Sequence, residues 1–189
     1  MRFLVALVLV LCATAAGSGA ALTRSVYVDG DSLAEGTAPY LPALLPHWSM
    51  RQSYAVGRRV TEGIALLRAE RPLEQVVVVS LGTNDDPRRV SDFRSGLREI
   101  LAIAGPSRCV VWVNIVRPPV AGAGYGGLNR VLSAAAAGRR NLVVVDWRAL
   151  VREHPAWLRR DGVHATAAGY RARAAAIAAA VKECTARLG

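Results

Sequence analysis

Lysine is almost missing from this sequence. Lys182 is the only one, so a net charge of +10 rests almost entirely on arginine. The arginines are scattered, often in pairs such as Arg58-Arg59, Arg88-Arg89, Arg139-Arg140 and Arg159-Arg160. Aromatics make up only 6% of the chain, no aromatic ladder accompanies the arginines, and no nucleic-acid-binding motif is present. Nucleic acid is therefore excluded as the expected partner. What remains is a solvated basic surface or weak attraction to an anionic envelope. Histidine is scarce too, with three in the chain, so a general base has few candidates. No internal repeat, linker or second domain interrupts the sequence. With 52% hydrophobic residues in 189, one domain with a sizeable core is expected.

The one long uncharged apolar stretch is at the N-terminus. Arg2 is the only charge before Arg24, residues 3–11 are unbroken apolar, and small residues follow. This reads as an export signal over residues 1–21, with residues 22–189 as the mature domain. The expected location is secreted or extracytoplasmic. The alternative is an uncleaved anchor, since residues 3–22 are just long enough to span a bilayer. Cys12 suggests a lipid anchor, but the bulky Leu11 before it argues against one. Removing the leader leaves Cys109 and Cys184, an even pair that suggests a disulfide in an exported protein. Two buried free thiols are the alternative.

Strands are expected at residues 24–28, 48–54, 75–81, 109–116 and 141–145. Residues 75–81 and 109–116 are Val-rich throughout, as in strands buried on both faces. Helices are expected at 34–45, 61–70, 90–104, 128–137, 147–153 and 165–188, the first short or kinked by Pro39, Pro42 and Pro46. Gly138 is the expected C-cap of the fourth of these. Strands alternating with helices give a parallel α/β sheet covered on both faces, with the active site at the C-terminal strand ends.

The loops at those ends carry the candidate chemistry. Val26-Tyr27-Val28-Asp29-Gly30-Asp31-Ser32-Leu33 runs from a strand through an Asp-Gly-Asp turn to a serine at a helix start. Backbone N–H groups and the helix dipole favour developing negative charge there. Ser32 is a candidate nucleophile; alone, it reads equally as an N-cap. His47 and His154 sit beside prolines and read as surface or packing residues. His164 stands in Asp161-Gly162-Val163-His164, where the glycine turn lets the Asp161 carboxylate meet one imidazole nitrogen and leaves the other free. Asn84 follows the third strand and offers a side-chain N–H. Gly57 follows the second and offers a backbone N–H at close approach. With the N–H of Ser32 these make three candidate oxyanion donors. Asp85 and Asp86 read as turn and cap residues, one of which can hold the loop by accepting backbone N–H bonds.

In this order, Gly30-Asp31-Ser32-Leu33, Gly57, Gly82-Thr83-Asn84-Asp85 and Asp161-Gly162-Val163-His164 resemble the four sequence blocks of the SGNH hydrolases, the GDSL esterase/lipase family. The resemblance spans essentially residues 24–188. It implies a flavodoxin-like three-layer fold with five parallel strands in the order 2-1-3-4-5. It implies Ser32 as nucleophile, His164 as base, Asp161 as triad acid, and Ser32, Gly57 and Asn84 as the oxyanion hole. It implies no metal and no cofactor. Asp146-Trp147, Asp161-Gly162-Val163-His164 and Gly169-Tyr170 also resemble SGNH domains associated with bacterial envelope O-acyltransferases. The multispan acyltransferase domain of those proteins has no counterpart in this sequence.

The expected function is secreted hydrolysis of short-chain acyl esters, on a small-molecule or glycan substrate, by a monomer. Transfer or removal of acyl groups on an envelope glycan is the second expectation. A non-catalytic envelope-binding module is the third, and the intact set Ser32, Gly57, Asn84, Asp161 and His164 argues against it.

Overall fold

The computed structural model describes residues 24–70 and 72–189. The expected export signal lies outside the described residues. Five strands form one parallel sheet: β1 (Ser25–Gly30), β2 (Ser49–Tyr54), β3 (Val76–Ser80), β4 (Cys109–Val113) and β5 (Leu142–Val145). Their order is β2-β1-β3-β4-β5, as expected. β3 lies at the centre, and β1 beside it pairs with β3 on one side and with the edge strand β2 on the other.

The period-2 alternation of the strands divides the core. Val26, Val28, Val76, Val78 and Val111 face one cluster, while Tyr27, Val77, Val79, Val110 and Trp112 face the other. The first face is covered by α1 (Ser32–Thr37), α2 (Leu41–Leu44), α6 (Trp147–Glu153) and α7 (Ala167–Leu188). The second is covered by α3 (Val60–Ala69), α4 (Val90–Ala104) and α5 (Gly126–Ala137). Every residue of β3 and β4 is buried, which explains their unbroken apolar runs. Two covered faces on a five-stranded parallel sheet give the three layers.

Several boundaries move. β1 continues through Asp29 and Gly30, because both pair with β2 and β3. The helix expected over 34–45 is broken into α1, a 3₁₀ turn at Ala38–Tyr40 and α2, with Pro39 and Pro42 each at a new helical start. β4 stops at Val113, where its neighbour β5 ends at Val145. α5 begins two residues early, at Gly126, and α7 begins at Ala167, capped by the Thr166 hydroxyl on the Gly169 N–H. Gly138 does cap α5, but at φ −107° rather than in the left-handed region.

Cys109 and Cys184 are joined, with Cα atoms 5.8 Å apart. The bridge pins the end of α7 to the start of β4, at the N-terminal edge of the sheet. It closes a loop across a sequence separation of 75 residues.

Candidate active site

The C-terminal edge of the sheet gathers the candidate residues. β1 ends at Gly30, and Asp31 caps the next helix by accepting a hydrogen bond from the Leu33 N–H at 2.9 Å. Asp31, not Ser32, is therefore the N-cap; Ser32 is the first helical residue, and its hydroxyl is left for other use. That hydroxyl lies 3.0 Å from His164 Nε2.

The candidate base, His164, is held by its own loop. Asp161 Oδ2 lies 2.8 Å from His164 Nδ1, and Asp161 Oδ1 accepts the backbone N–H groups of Val163 and His164, each at 2.9 Å. Gly162 makes this fold possible with φ at +67°, a backbone state that other residues resist. The Val163 N–H, then the imidazole and the His164 N–H, hold the Asp161 carboxyl down at about 2. An ionised Asp161 keeps the proton on Nδ1 and leaves Nε2 as acceptor for the Ser32 O–H. The structure thus joins Ser32, His164 and Asp161 in one hydrogen-bonded chain.

The expected oxyanion donors sit on two neighbouring loops. Gly57 occupies an open turn at φ +79°. Asn84 Nδ2 lies 3.2 Å from Asp31 Oδ2 and 3.2 Å from the Arg58 carbonyl oxygen. One amide therefore ties the loop of Ser32 to the loop of Gly57. Arg117 donates to the Thr83 carbonyl at 2.7 Å and reaches Asn84 Oδ1 at 3.4 Å, which turns the amide nitrogen toward Asp31. Tyr125 also donates to the Thr83 carbonyl, at 3.1 Å. Asp85 holds the same loop by accepting the Val60 N–H at 3.2 Å, and Asp86 accepts the Arg88 N–H at 3.0 Å.

Beneath these loops lies a charged layer that motif spacing did not reveal. Asp29 is fully buried, and Arg58 Nη1 donates to its Oδ1 at 2.8 Å and to the Ser53 carbonyl at 2.7 Å. Arg58 follows Gly57 directly, so its side chain anchors the Gly57 turn to β1 and β2. Burial pushes the Asp29 carboxyl up to about 6, against the pull of Arg58. Asp31 is also fully buried, and its carboxyl is raised by burial against the Leu33 N–H and the positive charge of Arg173. Arg173, on α7, is itself buried; it donates to Thr37 Oγ1 at 3.2 Å and Ser80 Oγ at 3.0 Å. Burial lowers its guanidinium to about 10. A signal for Arg173 was present: Tyr170, Ala174, Ile177, Val181 and Cys184 mark the buried stripe of α7, and Arg173 lies within it.

The other two histidines stand apart. His154 stacks on Trp157 with ring centroids 4.1 Å apart, and His47 is exposed just before β2. Among the described residues, no three of His, Cys, Asp and Glu converge to hold a metal ion.

Residues 23–172 match the family model described as GDSL-like lipase/acylhydrolase. A comparison with curated proteins finds no match. Solved structures share the fold at low identity. The C-terminal catalytic domain of Streptococcus pneumoniae peptidoglycan O-acetyltransferase A superposes with a TM-score of 0.73 at 19% identity, over 87% of this chain and 96% of that one. A lipase/acylhydrolase from Enterococcus faecalis gives a TM-score of 0.66 at 23% identity, over 88% and 97%. A member of the lipolytic G-D-S-L family from Veillonella parvula gives 0.65 at 17%, over 82% and 96%. The chain belongs to the GDSL-like lipase/acylhydrolase family.

Proposed function

We propose that the protein is a secreted serine ester hydrolase that cleaves short-chain acyl esters through Ser32, His164 and Asp161. The observation that carries this reading is the unbroken chain from Ser32 Oγ through both imidazole nitrogens to Asp161. In the reaction, His164 Nε2 takes the Ser32 proton as Oγ attacks the ester carbonyl. The carbonyl electron pair moves onto oxygen, where the N–H groups of Ser32 and Gly57 stabilise it, joined by Asn84 once its amide turns one N–H from Asp31 or the Arg58 carbonyl to the substrate. Collapse expels the alcohol, which receives the proton from His164, and leaves an acyl group on Ser32. Water, deprotonated by His164, then attacks the acyl-enzyme and releases the acid. Asp161 stays ionised throughout and stabilises the imidazolium.

The loop from Arg117 to Tyr125 supports a role at the substrate entrance. Its Arg117 touches Asn84, and Pro118 lies so close to Gly162 that an added Cβ would sit 3.0 Å from Pro118 Cγ. The loop closes on itself at a two-residue turn, with Val120 and Ala123 bonded in both directions.

A second reading is acyl transfer to, or removal from, an envelope glycan. The likeness to the peptidoglycan O-acetyltransferase domain favours it, and it uses the same Ser32 acyl-enzyme with a sugar hydroxyl in place of water. The protein acts as a monomer, and its basic surface gives a weak attraction to an anionic envelope.

Aryl esters of increasing acyl length, tested on the wild type and on Ser32→Ala, check the main reading. Turnover that requires Ser32 and falls with chain length is expected. Turnover retained in Ser32→Ala removes the assignment. Acylated product on added sugar acceptors selects the transfer reading.

A further inference from the structure

Among the described residues, a groove on one helical face carries arginine on both walls. α4 and α5 lie side by side on the sheet face away from α7, and they start together: a Cβ on Gly127 would come within 2.8 Å of the Val90 side chain. Between them runs a groove of about 840 Å³. Arg94 and Arg98 stand on the α4 side; Arg130 stands on α5, and Arg139 lies just past its end. All four are exposed, and among the described residues no Asp or Glu lines the groove.

Some surface arginines elsewhere are ion-paired. Arg51 pairs with Glu70 and Glu74, Arg68 with Glu99, Arg88 with Asp86, Arg89 with Asp92, and Arg187 with Glu183. None of the four groove arginines has an ion-pair partner among the described residues. Four like charges around one concavity repel each other and raise the local positive potential, which an anionic ligand relieves.

We propose that this groove binds a linear phosphodiester chain that carries no bases. Arginine presents a planar fork of donors suited to phosphate oxygens. A phosphodiester has free oxygens pointing to two sides, so guanidiniums on both walls engage it together. Arg94 and Arg98 are one helical turn apart, roughly 6 Å along the axis, so successive charged units meet successive arginines. The floor, made by Leu97, Leu101 and Val131, is apolar and suits the carbon atoms between phosphates. It contains no aromatic side chain, so it offers no stacking platform for nucleic-acid bases. The arginines flank a concavity instead of a flat patch, which fits a chain lying lengthwise better than a bilayer surface. This site is separate from Ser32 and does not depend on the hydrolase reading.

The test is binding of a fluorescently labelled oligo(glycerol phosphate), followed by anisotropy over a range of salt. Four charges meeting four phosphates give a slope of log affinity against log salt of roughly −3. The variant carrying Arg94→Gln, Arg98→Gln, Arg130→Gln and Arg139→Gln is expected to lose at least about tenfold in affinity. A second variant removes the same charge from exposed positions outside the groove, with Arg148→Gln, Arg152→Gln, Arg160→Gln and Arg171→Gln. It is expected to lose less than about threefold. Circular dichroism confirms that both variants are folded. Equal loss in the two variants reduces the effect to net charge and overturns the groove. No binding at low salt overturns it, as does tighter binding of oligo-deoxythymidylate or of phosphatidylglycerol vesicles.

Discussion

The two halves of the candidate triad are built differently. Ser32 is set into a buried polar framework, with Asp29, Asp31 and Arg173 beneath it and Asn84 tying its loop to that of Gly57. His164 and Asp161 stand on a loop whose side chains remain 37% and 47% exposed. The first half is over-determined: several elements of the sheet must fold before Ser32 is placed. The second is local. Three hydrogen bonds to one carboxylate fix the imidazole within four residues of chain. Tertiary structure places Ser32, and a turn places His164. The halves should therefore respond differently when broken.

The largest effect is expected on the exposed side. Asp161→Asn removes the acceptor that fixes the His164 tautomer, and kcat/KM should fall by ~10³–10⁴-fold. The melting temperature should stay within a degree or two of the wild type, since exposed substitutions of this kind cost little stability. A large loss of stability in this variant breaks the contrast.

Asn84→Ala acts on the other side. It removes a candidate oxyanion donor and should cost ~10²–10³-fold in kcat. It also cuts the link between Asp31 and the Arg58 carbonyl, so the melting temperature should fall as well. Loss of activity with no change in melting would show that the link contributes nothing to the framework.

The disulfide provides a control far from both halves. Replacing Cys109 and Cys184 together by alanine should lower stability by about 2–4 kcal/mol, with kcat unchanged when measured well below the melting temperature. A fall in kcat under those conditions would mean that the N-terminal edge of the sheet reaches the site.

The smallest effect concerns Asp29 and pH. Its carboxyl ordinarily titrates at 3.8 and is raised to about 6 in the fold. Between those values the folded state holds a proton that the unfolded chain has released. This group's contribution to stability therefore falls as pH rises from 4 to 6, by on the order of 2 kcal/mol, and is level above that. Asp29→Asn has no such titration. Urea midpoints of both proteins at pH 4 and pH 7 should show the wild type losing ground relative to the variant as pH rises. Parallel curves would contradict the buried, raised carboxyl.

The same contrast explains what could be read from the sequence. Ser32, Asp161 and His164 were legible because each sits in a short block whose spacing determines local geometry. The parallel sheet was legible because β3 and β4 are apolar throughout, and the helix breaks at Pro39 and Pro42 were legible from proline chemistry. Asp29 and Arg58 were not, since their contact depends on which face of β1 a residue takes and where a loop returns. Arg173 was hidden for a related reason. In an Ala/Arg helix most arginines are solvated, and only the register of the buried stripe separates Arg173 from its neighbours. Asp31 as cap, in place of Ser32, needed the backbone angles at the strand end.

The most direct test of the account is covalent labelling with a fluorophosphonate, followed by mass spectrometry of the digested protein. One label is expected, on the peptide that contains Ser32, with labelling at least about a hundredfold slower in His164→Ala. A label on any other residue, or equal labelling rates in the wild type and His164→Ala, would contradict it.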